Sequence, residues 1–286
     1  MKTLSIAGLL AGLAVAAPHA NAQPAQLRGS DTLREVVVEA IKEAGLGDVL
    51  SYIGGGSGTG EAGLVNGTQG IAPMSRALNT AAINNLLNQG VTPVQHVIGL
   101  DGVSLFVEST NTGLTGLDIP TIKSIFTCNI VDWADVPSSG KTGPIAVYRR
   151  DDASGTTDTF KTLVGVTTFG PCVTVVATTE DIATHTSTED NAIGYAGLSG
   201  KVDGNKEVPV AANATSAAIA PTVETIRDFS YPLARRLYVN SVADGRFPSD
   251  DEQALLDAMS DRGFMDLILT RFGFVSCLAD ADGGCP

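Results

Sequence analysis

Leu33, Val37, Ile41 and Ala44 recur at helical spacing, and Gly45 follows at the position where glycine ends helices. The same reading, apolar positions three or four apart bounded by small or capping residues, predicts helices over 32–44, 59–65, 79–89, 119–126, 156–164, 222–228, 250–260 and 263–271. Short β-branched or apolar runs between them predict strands at 49–53, 97–100, 103–107, 145–148, 173–177 and 236–239. Alternation of the two kinds, with glycine-rich turns, predicts an α/β fold of mixed sheets flanked by helices. The length allows two lobes or one large α/β domain. No internal repeat is visible, and the Ala/Thr-rich stretch 210–221 reads as a surface loop.

Four junctions share one pattern, a small-residue turn that opens a helix. They are Gly29-Ser30-Asp31-Thr32-Leu33, Gly54 to Gly60, Ala72-Pro73-Met74-Ser75-Arg76, and Arg149-Arg150-Asp151-Asp152-Ala153-Ser154-Gly155-Thr156. A helix start offers unpaired backbone N–H groups and a positive dipole end, so it favours an anion. In the last junction Ser154 and Thr156 add hydroxyls, Gly155 permits close approach, and Arg150 supplies a planar fork for two oxygens. The plainer alternative is that Asp152 or Ser154 caps a surface helix, as Asp31 or Thr32 caps the first. One such turn carries little weight; four in one chain predict a convergent oxyanion site.

Other blocks extend this picture along the chain. Ile122 to Phe126 with Ile130 to Trp133, Asp101 to Val107, Ala192 to Leu198 and Tyr231 to Val239, taken in order with the four turns, resemble the phosphate-binding proteins of bacterial ABC transporters. The resemblance implies a two-lobed periplasmic solute-binding fold of type II with a two-crossover hinge. One lobe would comprise 23–101 plus 236–286 and the other 102–235. It implies binding of inorganic phosphate between the lobes and delivery to an inner-membrane permease, by a monomer without cofactor or metal. The implied ligand set is Thr32, Leu33, Ser57, Gly58, Thr59, Ser75, Arg76, Arg150, Ser154, Gly155 and Thr156, with Asp152 orienting Arg150. Family members carry an aspartate after the serine of the third loop, which accepts the proton of hydrogen phosphate; here Arg76 stands there. Asp31 and Asp152 are the candidate substitute acceptors, Asp31 the better because Asp152 is committed to Arg150, and the ligand reading widens to phosphate or a similar oxyanion.

Composition and targeting narrow the setting. Lys2, an apolar run from Leu4 to Ala17 and the small-x-small site Ala20-Asn21-Ala22 predict a signal peptide over 1–22 and export to the periplasm or beyond, without a membrane anchor. Four cysteines in an exported chain predict disulfides. Three pairings are open; Cys277–Cys285 as a local clip and Cys128–Cys172 as a longer link are expected, contributing about 2.5 and about 4 kcal/mol. The chain carries 18 basic and 31 acidic residues, a formal charge of −13. Nucleic acid is disfavoured, because its affinity rests on basic contacts to phosphates. A small anion held by local dipoles and one or two arginines is compatible with that charge.

Enzyme readings find little support. Gly54 to Gly60 lacks the lysine of a nucleotide loop, and Thr59 and Thr156 replace the second glycine of GxSxG. A Ser–His pair through His96 or His185 stays open, as does a secreted interaction protein that keeps the binding fold without serving transport. The expectation is a binding protein, not an enzyme.

Overall fold

The first described strand, β1 (Ala25–Arg28), runs parallel to β2 (Leu50–Ile53), with α1 (Arg34–Glu43) crossing between them. The computed structural model describes residues 23–137, 139–152 and 154–277. The first half continues through α2 (Ser57–Asn66), β3 (Ile71–Met74), α3 (Thr80–Asn88), β4 (Thr92–Gly102) and β5 (Ser104–Glu108). Then come β6 (Leu117–Asp118), α4 (Ile119–Phe126), β7 (Ala146–Arg150), α5 (Gly155–Val164), β8 (Val173–Val176), α6 (Thr179–Thr188) and β9 (Ala192–Ala196). The chain closes with β10 (Asn205–Val208), β11 (Val210–Ala211), α7 (Val223–Arg227), β12 (Ala234–Ala243), α8 (Asp250–Ser260) and α9 (Arg262–Arg271).

Two sheets organise two cores. In one, β12 lies between β3 and β4, antiparallel to both. In the other the order is β10-β5-β9-β7-β8, with β7 parallel to its two neighbours and the rest antiparallel, a mixed sheet as expected. Leu27, Val37, Ile41, Leu237, Leu255 and Ile268 belong to the first core; Phe106, packed under α6, aside, the second sheet buries Val147, Phe160, Ile193 and Tyr195 with Phe126 and Trp133. The ring centroids of Phe126, Phe160 and Tyr195 lie within 5.6 Å of one another, Phe160 and Tyr195 stacked and Phe126 tilted against both. Burying such side chains contributes about 1.5–3 kcal/mol each, and the two separate cores make this a two-lobed α/β protein.

The ladder of β4 and β12 belongs to both lobes. Ile98, Leu237 and Val239 face one core, while Leu100 and Ala234, two to three residues along, face the other. The register shifts between Leu237 and Tyr238. Beyond Gly102 the chain turns directly into β5 of the second sheet.

The structure corrects several expectations. Helix α6 is absent from the predicted set because Thr179–Thr188 is rich in threonine and buries only Ile182, Ala183 and Thr186. Its signal was the capping box of Thr178 and Asp181, which the structure forms in full. Val210–Ala211 is not surface loop: β11 pairs with β6, and both residues are buried. Neither Asp31 nor Thr32 caps α1; Leu33 occupies that position, without a side-chain cap. Strands β1 and β9 were also unpredicted, being short and, in β9, broken by Gly194.

Cys128 and Cys172 form the expected disulfide, joining the end of α4 to the approach to β8. Cys277 is also disulfide-bonded; the expected Cys277–Cys285 clip and the signal peptide lie outside the described residues. Closing 44 residues restricts the unfolded chain by about 4 kcal/mol. The variant Cys128→Ser/Cys172→Ser is expected to lose stability of that order, measured as a lower urea midpoint, with a steeper slope because the unfolded chain is released. No helix among the described residues is long and apolar enough to cross a membrane.

Candidate functional site

Strands β7 and β8 end at Arg150 and Val176, and α5 and α6 begin just beyond them. Helix starts at the carboxyl ends of parallel strands are where α/β sheets place their ligands. The backbone below Arg150 is fixed from behind. Tyr195 donates to Thr157 Oγ1 (2.8 Å), which in turn donates to the Arg150 carbonyl (3.3 Å). Burial pushes the Tyr195 hydroxyl pKa up, so it remains a donor. The Arg150 side chain makes one long bond, Nη1 to Thr179 Oγ1 at 3.4 Å, and its Nε is buried without a partner.

Opposite stands the loop before α1, the α2 start and the end of β3. Ser57 and Ser75 are buried together, with their hydroxyls 3.1 Å apart and the Ser75 amide donating to Ser57 Oγ. The N-cap position of α2 is Gly56, at φ 88°, a conformation that suits glycine, and no side chain caps its amides. Thr59 gives its hydroxyl to the Gly55 carbonyl (2.6 Å). Leu33 is fully buried in the core beneath the loop.

Gly155 sets the distance between the halves. A Cβ on it would lie 2.3 Å from Thr32 Oγ1 and 2.8 Å from Ser30 Oγ, so the α5 start abuts this loop and a larger residue would have to displace those side chains. The contact separates two recesses. A larger one, about 880 Å³, is lined by Asp31, Thr32, Asp101, Arg150, Ser154 and Thr156 among others. A smaller one, about 330 Å³, is lined by Gly55 to Thr59, Arg76, Asp152, Ser154, Gly155 and Asp158. The predicted residues therefore gather at one interlobe seam, and Ser154 faces both recesses. Ser75 and Leu33 support the seam and line neither recess.

Charge placement differs from expectation at two points. Asp152 does not hold Arg150: it pairs with Arg149 (3.2 Å) and with Lys161 (3.6 Å). Arg149 lies across the Phe169 ring at 4.4 Å and donates to the Arg150 carbonyl, so it is the structural member of the pair. Arg76 is tied to Glu61 (2.8 Å) and reaches Asp158 of α5 at 3.6 Å. Burial works against its charge, but the bonds to Glu61 and the Asp158 carboxylate more than offset this and raise its pKa. Glu61, itself buried, also accepts from the Asn79 amide at 2.8 Å. Asp31 Oδ1 accepts from Arg34 (2.7 Å) and the Gly55 amide (3.0 Å), while its Oδ2 is buried without a partner.

Sequence reasoning missed Arg235, Asp101, Glu61 and Asp158. Arg235 and Asp101 stand in recognised blocks, but only the register of β12 on β4 shows that they face each other. His96 meets Ser241 Oγ at 3.1 Å between β4 and β12, and neither residue lines a recess. His185 stacks on Tyr148 and bonds Glu189 (2.7 Å). Burial and the Glu189 carboxylate push the Tyr148 pKa up to about 12. Among the described residues no group of three His, Cys, Asp or Glu side chains is placed to hold a metal.

Two lobes joined by a shared strand ladder, with helix starts and hydroxyls meeting at the seam, define the bilobal binding-protein class. The chain belongs to the PBP superfamily, whose domain matches residues 14–262. It is 25% identical over 260 residues to "Phosphate-binding protein PstS" of Pseudomonas aeruginosa, covering 86% of this chain and 78% of that one. A shorter stretch of 128 residues, 38% of this chain and 33% of the other, is 28% identical to "Alkaline phosphatase L" of Pseudomonas aeruginosa. The fold matches the ABC-type phosphate transport receptor from Vibrio cholerae with a TM-score of 0.73 at 22% identity, covering 87% of this chain and 98% of that one.

Proposed function

We propose that this protein binds inorganic phosphate between its lobes and delivers it to an ABC permease. The observation that carries the reading is the seam itself. Ser154 at the start of α5 faces both recesses there, with the weakly engaged Arg150, Thr32 and Thr156 on the larger and the α2 start, Ser57 to Thr59, on the smaller. Backbone amides, hydroxyls and one arginine satisfy a desolvated oxyanion without requiring net positive charge. Thr32, Ser57, Gly58, Thr59, Arg150, Ser154, Gly155 and Thr156 are the ligand set of this reading. Ser75 acts through Ser57, and Arg76 acts as a charge tie beside the ligand. The relatives named for phosphate support the choice of ion, and export as a soluble receptor fits it. The lobes run 23–101 plus 236–286 and 102–235, with β4 and β12 as the crossovers. The protein performs no chemistry on its ligand. Equilibrium dialysis of ligand-stripped protein is expected to show one phosphate per chain, and no uptake at millimolar phosphate refutes the reading.

The partial relationship to alkaline phosphatase L gives hydrolysis a specific motive. A serine nucleophile needs a base within reach, yet Ser57 and Ser154 bond to Ser75 and to the Thr157 amide. Phosphomonoester turnover by the pure protein, lost in Ser154→Ala, would establish that alternative.

Selectivity follows from the partnerless Asp31 Oδ2 beside Thr32 and Arg150. Hydrogen phosphate can donate its proton to a carboxylate, whereas sulfate brings only acceptors and meets repulsion. Phosphate is therefore expected to be preferred strongly over sulfate, and Asp31→Asn to erode the preference. Sulfate competition on both proteins measures it; an unchanged ratio leaves Asp31 as a clasp between Arg34 and Gly55 only.

A further inference from the structure

Arg235 is buried at the point where β4 and β12 pass between the lobes, directly opposite Asp101 in the ladder. Its Nε and Nη2 donate to Asp101 Oδ2 at 2.9 and 2.6 Å. The remaining donors leave the ladder. Nη1 reaches the carbonyl of Gly155, the first residue of α5, at 3.1 Å, and Nη2 reaches Thr32 Oγ1 at 3.4 Å. One guanidinium thus holds the crossover strands, the loop of one lobe and the helix start of the other.

We propose that Arg235 is the positioning residue that couples ligand binding to lobe closure, an inference that rests on the phosphate reading above. Two physical consequences carry it. Because Arg235 donates to Thr32 Oγ1, it occupies an acceptor site of that hydroxyl and leaves the hydroxyl proton for an oxyanion. Because the fork is rigid and planar, its bonds to Thr32 and Gly155 coexist only when α5 abuts the 30–32 loop. Asp101, almost fully buried, balances the charge, so the arginine sets geometry without adding net attraction. Lysine in its place can keep the Asp101 partner but cannot span three directions with the same planar fork.

The test titrates inorganic phosphate into ligand-stripped wild type, Arg235→Lys, Thr32→Val and the double variant. Release rates, melting curves and the X-ray-scattering radius of gyration are measured on each. Arg235→Lys is expected to weaken phosphate binding at least tenfold, mostly through faster release, and to enlarge the ligand-free protein. In the Thr32→Val background the same change costs a smaller factor, since the hydroxyl it positions is gone. An equal factor in both backgrounds, or unchanged affinity in Arg235→Lys, reduces the residue to a structural ion pair and overturns the proposal. If Arg235→Lys does not fold, Asp101→Asn replaces it, with at least a fivefold loss expected and wild-type affinity overturning the inference. Failure of the wild type to bind phosphate refutes the receptor reading instead. The scattering comparison then still decides, because equal radii overturn the coupling role.

Discussion

Arg150→Ala is expected to lower phosphate affinity by roughly one and a half to three and a half orders of magnitude, with little change in melting temperature. Its guanidinium borders the larger recess, has one long hydrogen bond and carries a buried, partnerless Nε. Losing one partner of a desolvated charge-assisted pair costs about 2–5 kcal/mol, and each 1.4 kcal/mol is tenfold in affinity. Arg149→Ala is expected to show the opposite balance. That side chain is largely buried across Phe169 and is tied to Asp152 and to the Arg150 carbonyl. Its removal strips packing from Phe169 beside the sheet and lowers the melting temperature, with a smaller loss of affinity. Calorimetric titration and thermal unfolding of the two variants separate the roles, and equal affinity losses would show that the wrong arginine faces the ligand.

Gly155→Ala should weaken phosphate binding by roughly five- to a hundredfold. Gly155 is the first residue of α5, a position where alanine is intrinsically the better helix former. The methyl group would meet the Thr32 hydroxyl at 2.3 Å and the Thr32 amide nitrogen at 3.1 Å. Overpacking of this kind costs about 1–3 kcal/mol, and here the cost falls on the approach of the two halves. The ligand-free protein, free to stand further open, should fold as well as the wild type. Binding calorimetry beside a melting curve tests this; undiminished affinity would mean that the seam need not close this tightly around the ion.

The α/β class and most helices were legible because their evidence is local. Leu33, Val37 and Ile41 announce α1 through spacing, and Gly45 announces its end. The Ser154-Gly155-Thr156 turn was legible for the same reason, since cap chemistry is written in adjacent residues. What escaped the sequence was long-range pairing. Asp152 has an arginine two residues away and another three away, and only the pleat of β7 decides that Arg149 is the one that reaches it. Arg235 and Asp101 lie 134 residues apart and meet through register alone. Arg76 read as a substitution at a ligand position, but its role as a tie between Glu61 and Asp158 needed the fold.

The β4–β12 ladder has a mechanical consequence. Ten residues of β12 are matched by partners on β4, so the two strands form a ribbon whose hydrogen bonds resist sliding along their length. Such a ribbon bends across its thin direction far more easily than it shears, and the register shift at Leu237/Tyr238 supplies a softer place within it. Were one lobe to move against the other, the ladder would favour rotation about an axis crossing the ribbon over sliding along it. A permease that docks on both lobes would feel ligand occupancy as an angle between its two footholds rather than as a displacement of either.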